Sequence, residues 1–146
     1  MNHVEKAAEL FVSGYNCAQA VAIAFGDLTG YGEKEMAMLA SPFGGGMGRM
    51  REVCGAVSGM FMVLGILYGY DSEADDERKK QLYASVQGLA DKFKETTDSI
   101  ICREILKNPP SDPAPTKRTE EFYKVRPCTR MVMLAASLLD EFIAAH

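Results

Sequence analysis

Four cysteines are the residues of this chain whose type is best suited to chemistry. They lie far apart in the sequence and none belongs to a Cys-x-x-Cys pair, which excludes the common zinc-ribbon and thioredoxin signatures. The N-terminal residues lack the charged and then apolar pattern of a signal peptide, so we expect a reducing, cytoplasmic location, where structural disulfides are rare. Cysteines in that setting are buried and inert, bound to metal, or catalytic. The four are Cys17, Cys54, Cys102 and Cys128.

The four cysteines share one kind of position, since each is predicted to lie within about the first turn of a helix. Cys17 follows Asn16, a good capping residue. Cys128 follows Pro127, and proline is favoured at the start of helices. A helix N-terminus carries unpaired N–H groups and a partial positive charge, which stabilises a thiolate there and lowers the pKa of the thiol. The thiolate is the form that attacks disulfides and binds metals.

Arginine residues accumulate near the cysteines. Five of the seven arginines lie within five residues of a cysteine, whereas only two of the nine lysines do. A positive setting favours thiol redox chemistry or metal binding by thiolates. The five are Arg49, Arg51, Arg103, Arg126 and Arg130.

Inert burial of all four cysteines is the competing interpretation, because free cysteine behaves as a small buried hydrophobe. The two histidines do not help to decide, since His3 and His146 stand at opposite ends of the chain. A Cys–His catalytic pair or a histidine metal site is therefore not predicted.

A glycine-rich loop precedes Cys54 and is the candidate for binding a cofactor or an anion. Its candidate residues are Gly44, Gly45, Gly46, Gly48 and Arg49. Such a run can fold into a nest of N–H groups that holds a thiolate or a cluster sulfide. Equally, it can be a hinge that lets the backbone pack closely beside the next helix. The pattern leaves both interpretations open.

Apolar residues at spacings of three and four predict the elements that must position these residues. An apolar helix at about 52–68 is the predicted centre, with a long polar helix from near Ser72 on the outside. A shorter helix with one apolar stripe is predicted from Asn16, and another at 33–40. The last helix is predicted to begin at Pro127. No segment alternates as a strand does. The sequence therefore predicts an all-α, compact bundle formed by a single domain, residues 1–146.

Charge and hydropathy argue against nucleic-acid binding and against a membrane span. A net charge of −4 and a pI of about 5.2 argue against nucleic acid as a partner, because phosphate binding needs a dense basic surface. The uncharged run at 53–70 is interrupted by glycines, and we interpret it as a buried helix and not as a membrane span.

The chain resembles the four-cysteine family known by its pattern as C_GCAxxG_C_C, which consists of redox-active proteins of bacteria and archaea. The resemblance includes the segment Cys-Gly-Ala-Val-Ser-Gly at 54–59 and all four cysteines in order, over nearly the whole chain. It implies that the four cysteines are the functional positions of a prokaryotic redox protein. The segments that carry it are 16–20, 43–48, 54–59, 102–104 and 127–128.

Two versions of the site follow, and the sequence leaves both open. In the first, pairs of cysteines cycle between dithiol and disulfide, with Cys54 or Cys128 as the attacking thiolate. In the second, the four thiolates hold an iron–sulfur cluster or a zinc ion and transfer electrons. A structural zinc-binding or interaction module without turnover is the alternative function. The expected partners are an unidentified redox protein and a second copy of the chain. The copy would be contacted through the last helix and a short N-terminal helix, which the helical spacing of Val4, Ala7 and Phe11 predicts.

Overall fold

The protein is described by a computed structural model of residues 1–146. It contains ten α-helices, one 3₁₀ turn and no strand, so the prediction of an all-α fold is confirmed. A single antiparallel bridge joins Val53 to Ile101. The elements are α1 (His3–Val12), α2 (Cys17–Ala24), α3 (Gly26–Thr29), α4 (Glu33–Ala40), a 3₁₀ turn (Ser41–Phe43), α5 (Gly44–Met47), α6 (Gly55–Tyr68), α7 (Asp76–Thr97), α8 (Cys102–Ile105), α9 (Glu120–Val125) and α10 (Cys128–Ala145).

Helices α2 and α6 form the centre of the core. Six of the eight residues of α2 are buried, and seven of the fourteen residues of α6. The sequence predicted one apolar stripe on α2, but α1, α4, α6 and α10 all pack against it, so it is buried on nearly every side. The predicted central helix at 52–68 is observed as Gly55–Tyr68, because residues 52–54 run alongside residues 100–102 before the helix begins.

The crossing of α2 and α6 depends on Gly59. A Cβ atom at this position would lie 2.6 Å from the carbonyl oxygen of Ala18, which is closer than such atoms pack, and 3.1 Å from Cβ of Val21, which is unusually tight. The absence of a side chain at Gly59 therefore lets the two central helices approach closely.

We expect Gly59→Ala to destabilise the fold by about 1–3 kcal/mol, the cost of overpacking a core. Gly65→Ala is the matched control in the same helix, because a Cβ atom there has nothing within 4 Å. That control should stabilise α6 by about 0.5–1 kcal/mol, because alanine is the better helix former. Urea denaturation measures both, and equal effects of the two variants would contradict the close approach at Gly59.

The surface is formed largely by α7 and by the segments around α9. Helix α7 begins after the cap Asp75 and buries only Leu89, Ala90 and Phe93, in agreement with the predicted outer helix. Helix α9 was not predicted, although Thr119 accepts a hydrogen bond from the Phe122 amide and so caps it. No helix combines the length and apolar character needed to cross a lipid bilayer.

His3 joins three parts of the bundle. Its Nδ1 lies 2.7 Å from Asp140 of α10 and its Nε2 lies 2.8 Å from Asp27 of α3, and its ring stacks on Phe25. Partial burial lowers the pKa of His3, but the hydrogen bonds and charges of the two carboxylates raise it by more, so the net pKa lies above 6.5. The protonated ring can donate to both carboxylates at once.

The His3 contacts should make stability pH-dependent. Because the pKa of His3 is raised in the folded state, its contribution is complete below pH 6.5 and is lost as the pH rises through the folded-state pKa. We expect His3→Gln to destabilise the fold more at pH 5.5 than at pH 9, with a difference of less than about 1 kcal/mol for each partly exposed ion pair. Denaturation at both pH values tests this, and an equal loss at the two would contradict it.

Candidate functional site

The fold brings all four cysteines to one place. They line a single cavity of about 30 Å³ between the starts of four helices. Cys17, Cys102 and Cys128 are the first residues of α2, α8 and α10, and Cys54 caps α6. The prediction that every cysteine lies at a helix start is confirmed. All four are free thiols.

Two backbone segments position Cys54 and Cys102 beside each other. The amide of Cys54 donates to the carbonyl of Ile100 at 2.7 Å, and the amide of Cys102 donates to the carbonyl of Glu52 at 2.6 Å. These bonds flank the antiparallel bridge between Val53 and Ile101. Residues nearly fifty positions apart in the sequence are therefore held together by main-chain hydrogen bonds, which do not depend on side-chain identity.

The glycine-rich loop forms a left-handed turn against the cysteines. Five consecutive residues have φ values between 60° and 70°, and the amides of Arg51 and Glu52 close the turn on the carbonyls of Gly45 and Gly46. Each residue with a side chain in this region costs about 1–2 kcal/mol, and such strain concentrates at functional sites. The five residues are Gly45, Gly46, Met47, Gly48 and Arg49.

Both interpretations of the glycines find support in this turn. The backbone amide of Gly45 lowers the pKa of the Cys17 thiol, as an N–H group of an anion nest would. Gly46 serves close packing, because a Cβ atom there would lie 2.6 Å from Cβ of Cys102. The turn therefore stabilises the Cys17 thiolate and leaves room for the side chain of Cys102.

Cys17 and Cys128 form an outer pair, half-buried at the edge of the cavity. A hydrogen bond from Cys128 lowers the pKa of Cys17 to about 7; burial opposes this, and the amides of Gly45 and Cys17 and the charge of Arg118 assist it. The same hydrogen bond and burial raise the pKa of Cys128. The pair therefore loses its first proton from Cys17 and keeps the second on Cys128.

Cys54 and Cys102 form an inner pair with only 7 % and 6 % of their surface exposed. Burial raises the pKa of Cys54 to about 12, and the neighbouring sulfur of Cys17 adds to this, while the amides of Ala56 and Val57 compensate in part. Burial also raises the pKa of Cys102, although Arg51 donates to its sulfur at 3.7 Å.

The attacking thiolate predicted from helix position was Cys54 or Cys128, and the pKa directions favour Cys17 instead. All four thiols stand at a helix start, so this placement does not distinguish them. Burial raises the pKa of each thiol. Only at Cys17 do hydrogen bonds and a nearby positive charge lower the pKa by more than burial raises it.

Four of the five arginines predicted near the cysteines divide into two groups, and the fifth, Arg49, lies in the wall of a cleft that Cys17 and Cys128 also line. Arg51 hydrogen-bonds Cys102, and Arg126 lowers the pKa of both Cys102 and Cys128. Arg103 instead pairs with Glu52, and Arg130 is exposed beside a different groove. Nearness in the sequence therefore identified only some of the arginines that act on the cysteines.

Arg118 is a site residue that sequence reasoning missed. Its guanidinium donates to the carbonyls of Phe11 and Tyr15 at 3.0 Å each, and it lies 4.3 Å from the ring centre of Phe11. From this position its charge lowers the pKa of Cys17. No local signal could have found it, because it lies ten residues before Cys128 and far from Cys17 in the sequence.

The side chains are not arranged as a metal centre. No group of three or more histidine, cysteine, aspartate or glutamate side chains has the geometry to hold a metal ion. What the arrangement offers directly is two thiols that line the same cavity, of which one is acidic.

Comparison with known proteins identifies the family. The model of the family described as "Putative redox-active protein (C_GCAxxG_C_C)" matches residues 15–142, which include all four cysteines. No curated protein and no solved structure matches the chain. The chain belongs to this four-cysteine family.

Proposed function

We propose that this member of the four-cysteine family is a thiol–disulfide redox protein, in which Cys17 attacks and Cys128 resolves. The observation that supports this best is the placement of both thiols in the wall of one open cleft, where Cys17 is the more acidic. An attacking thiol is most effective when its pKa is near the ambient pH. Cys17 meets this condition and the inner pair does not.

The proposed reaction has two steps. The Cys17 thiolate attacks one sulfur of a substrate disulfide, R–S–S–R, so that a Cys17–S–S–R bond forms and R–S⁻ leaves with the electron pair of the broken bond. The Cys128 thiol then loses its proton to the departing thiolate or to water and attacks the sulfur of Cys17. A second R–S⁻ leaves. Two protein thiols have been oxidised to one disulfide, and one substrate disulfide has been reduced to two thiols.

The inner pair has a different role in this proposal. Cys54 and Cys102 are nearly inaccessible and keep their protons at neutral pH, so they do not meet the substrate. They line the same cavity as the outer pair and shape its inner wall. Return of the outer disulfide to the dithiol form requires a reduced thiol partner, which the cytoplasm supplies.

Disulfide mapping tests the proposed function. The protein is purified without oxygen, fully reduced, and then treated with bis(2-hydroxyethyl) disulfide. We expect the thiol titre to fall from four to two, and mass spectrometry of tryptic peptides to find Cys17 linked to Cys128. An unchanged titre, or a disulfide between other cysteines, would contradict the proposal. So would stoichiometric zinc or iron in the purified protein, because four thiolates bound to metal are not free to exchange.

A further inference from the structure

A second, larger cavity opens beside the outer pair. This cleft has a volume of about 330 Å³, and Cys17 and Cys128 are part of its wall. The proline-rich segment that contains Pro113, Pro115 and Thr116 also lines the cleft. Small-molecule sites have volumes of about 300–1,000 Å³, so the cleft has room for a small ligand next to the reactive sulfurs.

Apart from the Cys17 thiolate, every charged side chain of the cleft wall is positive. Four arginines line it and no aspartate or glutamate does, although the protein as a whole has a net charge of −4. Only Arg49 has a carboxylate within 4 Å, that of Asp112 at 3.9 Å. The positive charge is therefore largely uncompensated at this one place. The four are Arg49, Arg51, Arg118 and Arg126.

Contacts with the surrounding protein hold these guanidinium groups in place. Arg118 is fixed by the two carbonyls and the Phe11 ring described above, and Arg126 lies 5.2 Å from the ring centre of Phe122. Arg49 donates to the carbonyl of Asp112 and to the hydroxyl of Thr116, both at 2.7 Å. The groups are therefore preorganised, and less rotamer freedom is lost when an anion binds.

Arg51 is the arginine of the cleft wall that has an unpaired donor. Its side chain is buried, with 4 % of the residue exposed, and it lies in the walls of both the cleft and the inner cavity. Its Nε donates to the carbonyl of Pro110 and its Nη1 to Cys102, but its Nη2 has no partner. A buried donor of a charged group is costly to leave unpaired. Arg51 therefore contributes an unpaired donor at the boundary between the cleft and the inner cavity.

We propose that the substrate of the outer pair is a low-molecular-weight disulfide that carries carboxylate or phosphate groups, bound through these four arginines. This inference rests on the proposed function, since it assigns the substrate class of the same site. Arginine is suited to both anions, because its planar donors match the oxygens of carboxylate and phosphate in pairs. Anion binding at the arginines would hold the substrate S–S bond in the part of the cleft that contains Cys17.

Three disulfides of similar size and different charge test the substrate class. They are 3,3′-dithiodipropionate with two negative charges, bis(2-hydroxyethyl) disulfide with none, and cystamine with two positive charges. Each rate of Cys17 oxidation is divided by the rate of the same disulfide with 2-mercaptoethanol, which removes its intrinsic reactivity. We expect the corrected rate of the dianion to exceed that of the neutral compound by about tenfold and that of cystamine by more. The advantage should fall as salt is added.

Two arginine variants localise the effect. Arg126→Gln removes a charge that lines the cleft, and the advantage of the dianion should decrease by about threefold. Arg130→Gln is the matched control, because Arg130 is equally near Cys128 in the sequence but does not line the cleft. Calorimetry with the Cys17→Ser/Cys128→Ser double variant measures binding of 3,3′-dithiodipropionate without reaction.

The outcomes separate this inference from the proposed function. Equal corrected rates for the three disulfides, with the Cys17–Cys128 disulfide formed each time, would overturn the anionic substrate and leave the thiol–disulfide function standing. If Arg130→Gln weakens the preference for the dianion as much as Arg126→Gln does, the anionic substrate is also overturned and the thiol–disulfide function stands. If none of the three oxidises the outer pair, the proposed function itself is wrong.

Discussion

Replacement of Cys17 by serine is expected to abolish disulfide exchange while leaving the fold intact. With a pKa of about 7, about half of the Cys17 side chains are thiolate at pH 7, whereas a thiol with an ordinary pKa near 8.5 is thiolate in only a few per cent of molecules. The remaining cysteines are buried or have raised pKa values. We expect the alkylation rate with iodoacetamide at pH 7 to fall by at least about tenfold.

Cys128→Ser is the informative partner of this variant. It retains the attacking thiolate but lacks the resolving thiol, so a mixed disulfide between Cys17 and the substrate should accumulate and be visible by mass spectrometry. Mapping alkylation at Cys17 against pH gives its midpoint directly, which we expect near 7 in the unaltered protein. The thiolate fraction, and with it the rate, should decrease below that pH. A midpoint near 9, or accumulation of the mixed disulfide at another cysteine, would contradict the assignment.

Gly46→Ala is expected to be the most destabilising single substitution in the glycine-rich loop. The residue has a φ of 70°, and a Cβ atom would lie 2.6 Å from Cβ of Cys102 and 2.8 Å from the backbone of Arg51 and Glu52. The backbone strain and the overpacking together should cost about 3 kcal/mol or more. Because the turn also holds the Gly45 amide against Cys17, the variant should lose part of the acidity of that thiol.

Gly48→Ala separates the cost of backbone strain from the cost of overpacking. This glycine also has a positive φ, of 60°, but a Cβ atom there would meet only the carbonyl oxygen of Pro42 at 3.8 Å. It should therefore carry the backbone cost alone, about 1 kcal/mol, and leave the pKa of Cys17 unchanged. Urea denaturation and the alkylation profile measure the two properties. Equal losses of stability for the two variants would contradict the close packing of Gly46 on Cys102.

Features with local causes were predictable from the sequence. Asn16 caps α2 because its side chain and that of Gln19 bond to each other's backbone amides, and both residues can be recognised in a short window. The helix at Glu33–Ala40 is observed with the predicted bounds for the same kind of reason, since Pro42 follows it. Helix α10 begins one residue later than predicted, because Pro127 is its cap and not its first residue.

Features with non-local causes were not predictable in this way. The left-handed turn at Gly45 and Gly46 exists because it packs on Cys102, more than fifty residues away. The acidity of Cys17 depends on Cys128, on the Gly45 amide and on Arg118, each of which reaches it only through the tertiary fold. Each of the four thiols lies at the start of its own helix, so this position gave no basis for ranking them.

The sequence by itself determined the all-α class, the helix starts occupied by Cys17, Cys54, Cys102 and Cys128, and the family. These properties depend on helical periodicity, capping residues and motif order, which are contained in stretches of a few turns. Only the tertiary structure decided that the cysteines divide into an outer and an inner pair. It also decided that four arginines line the cleft beside the outer pair. Burial and charge determine the pKa of a thiol, and both are properties of the surroundings that distant segments create when they pack.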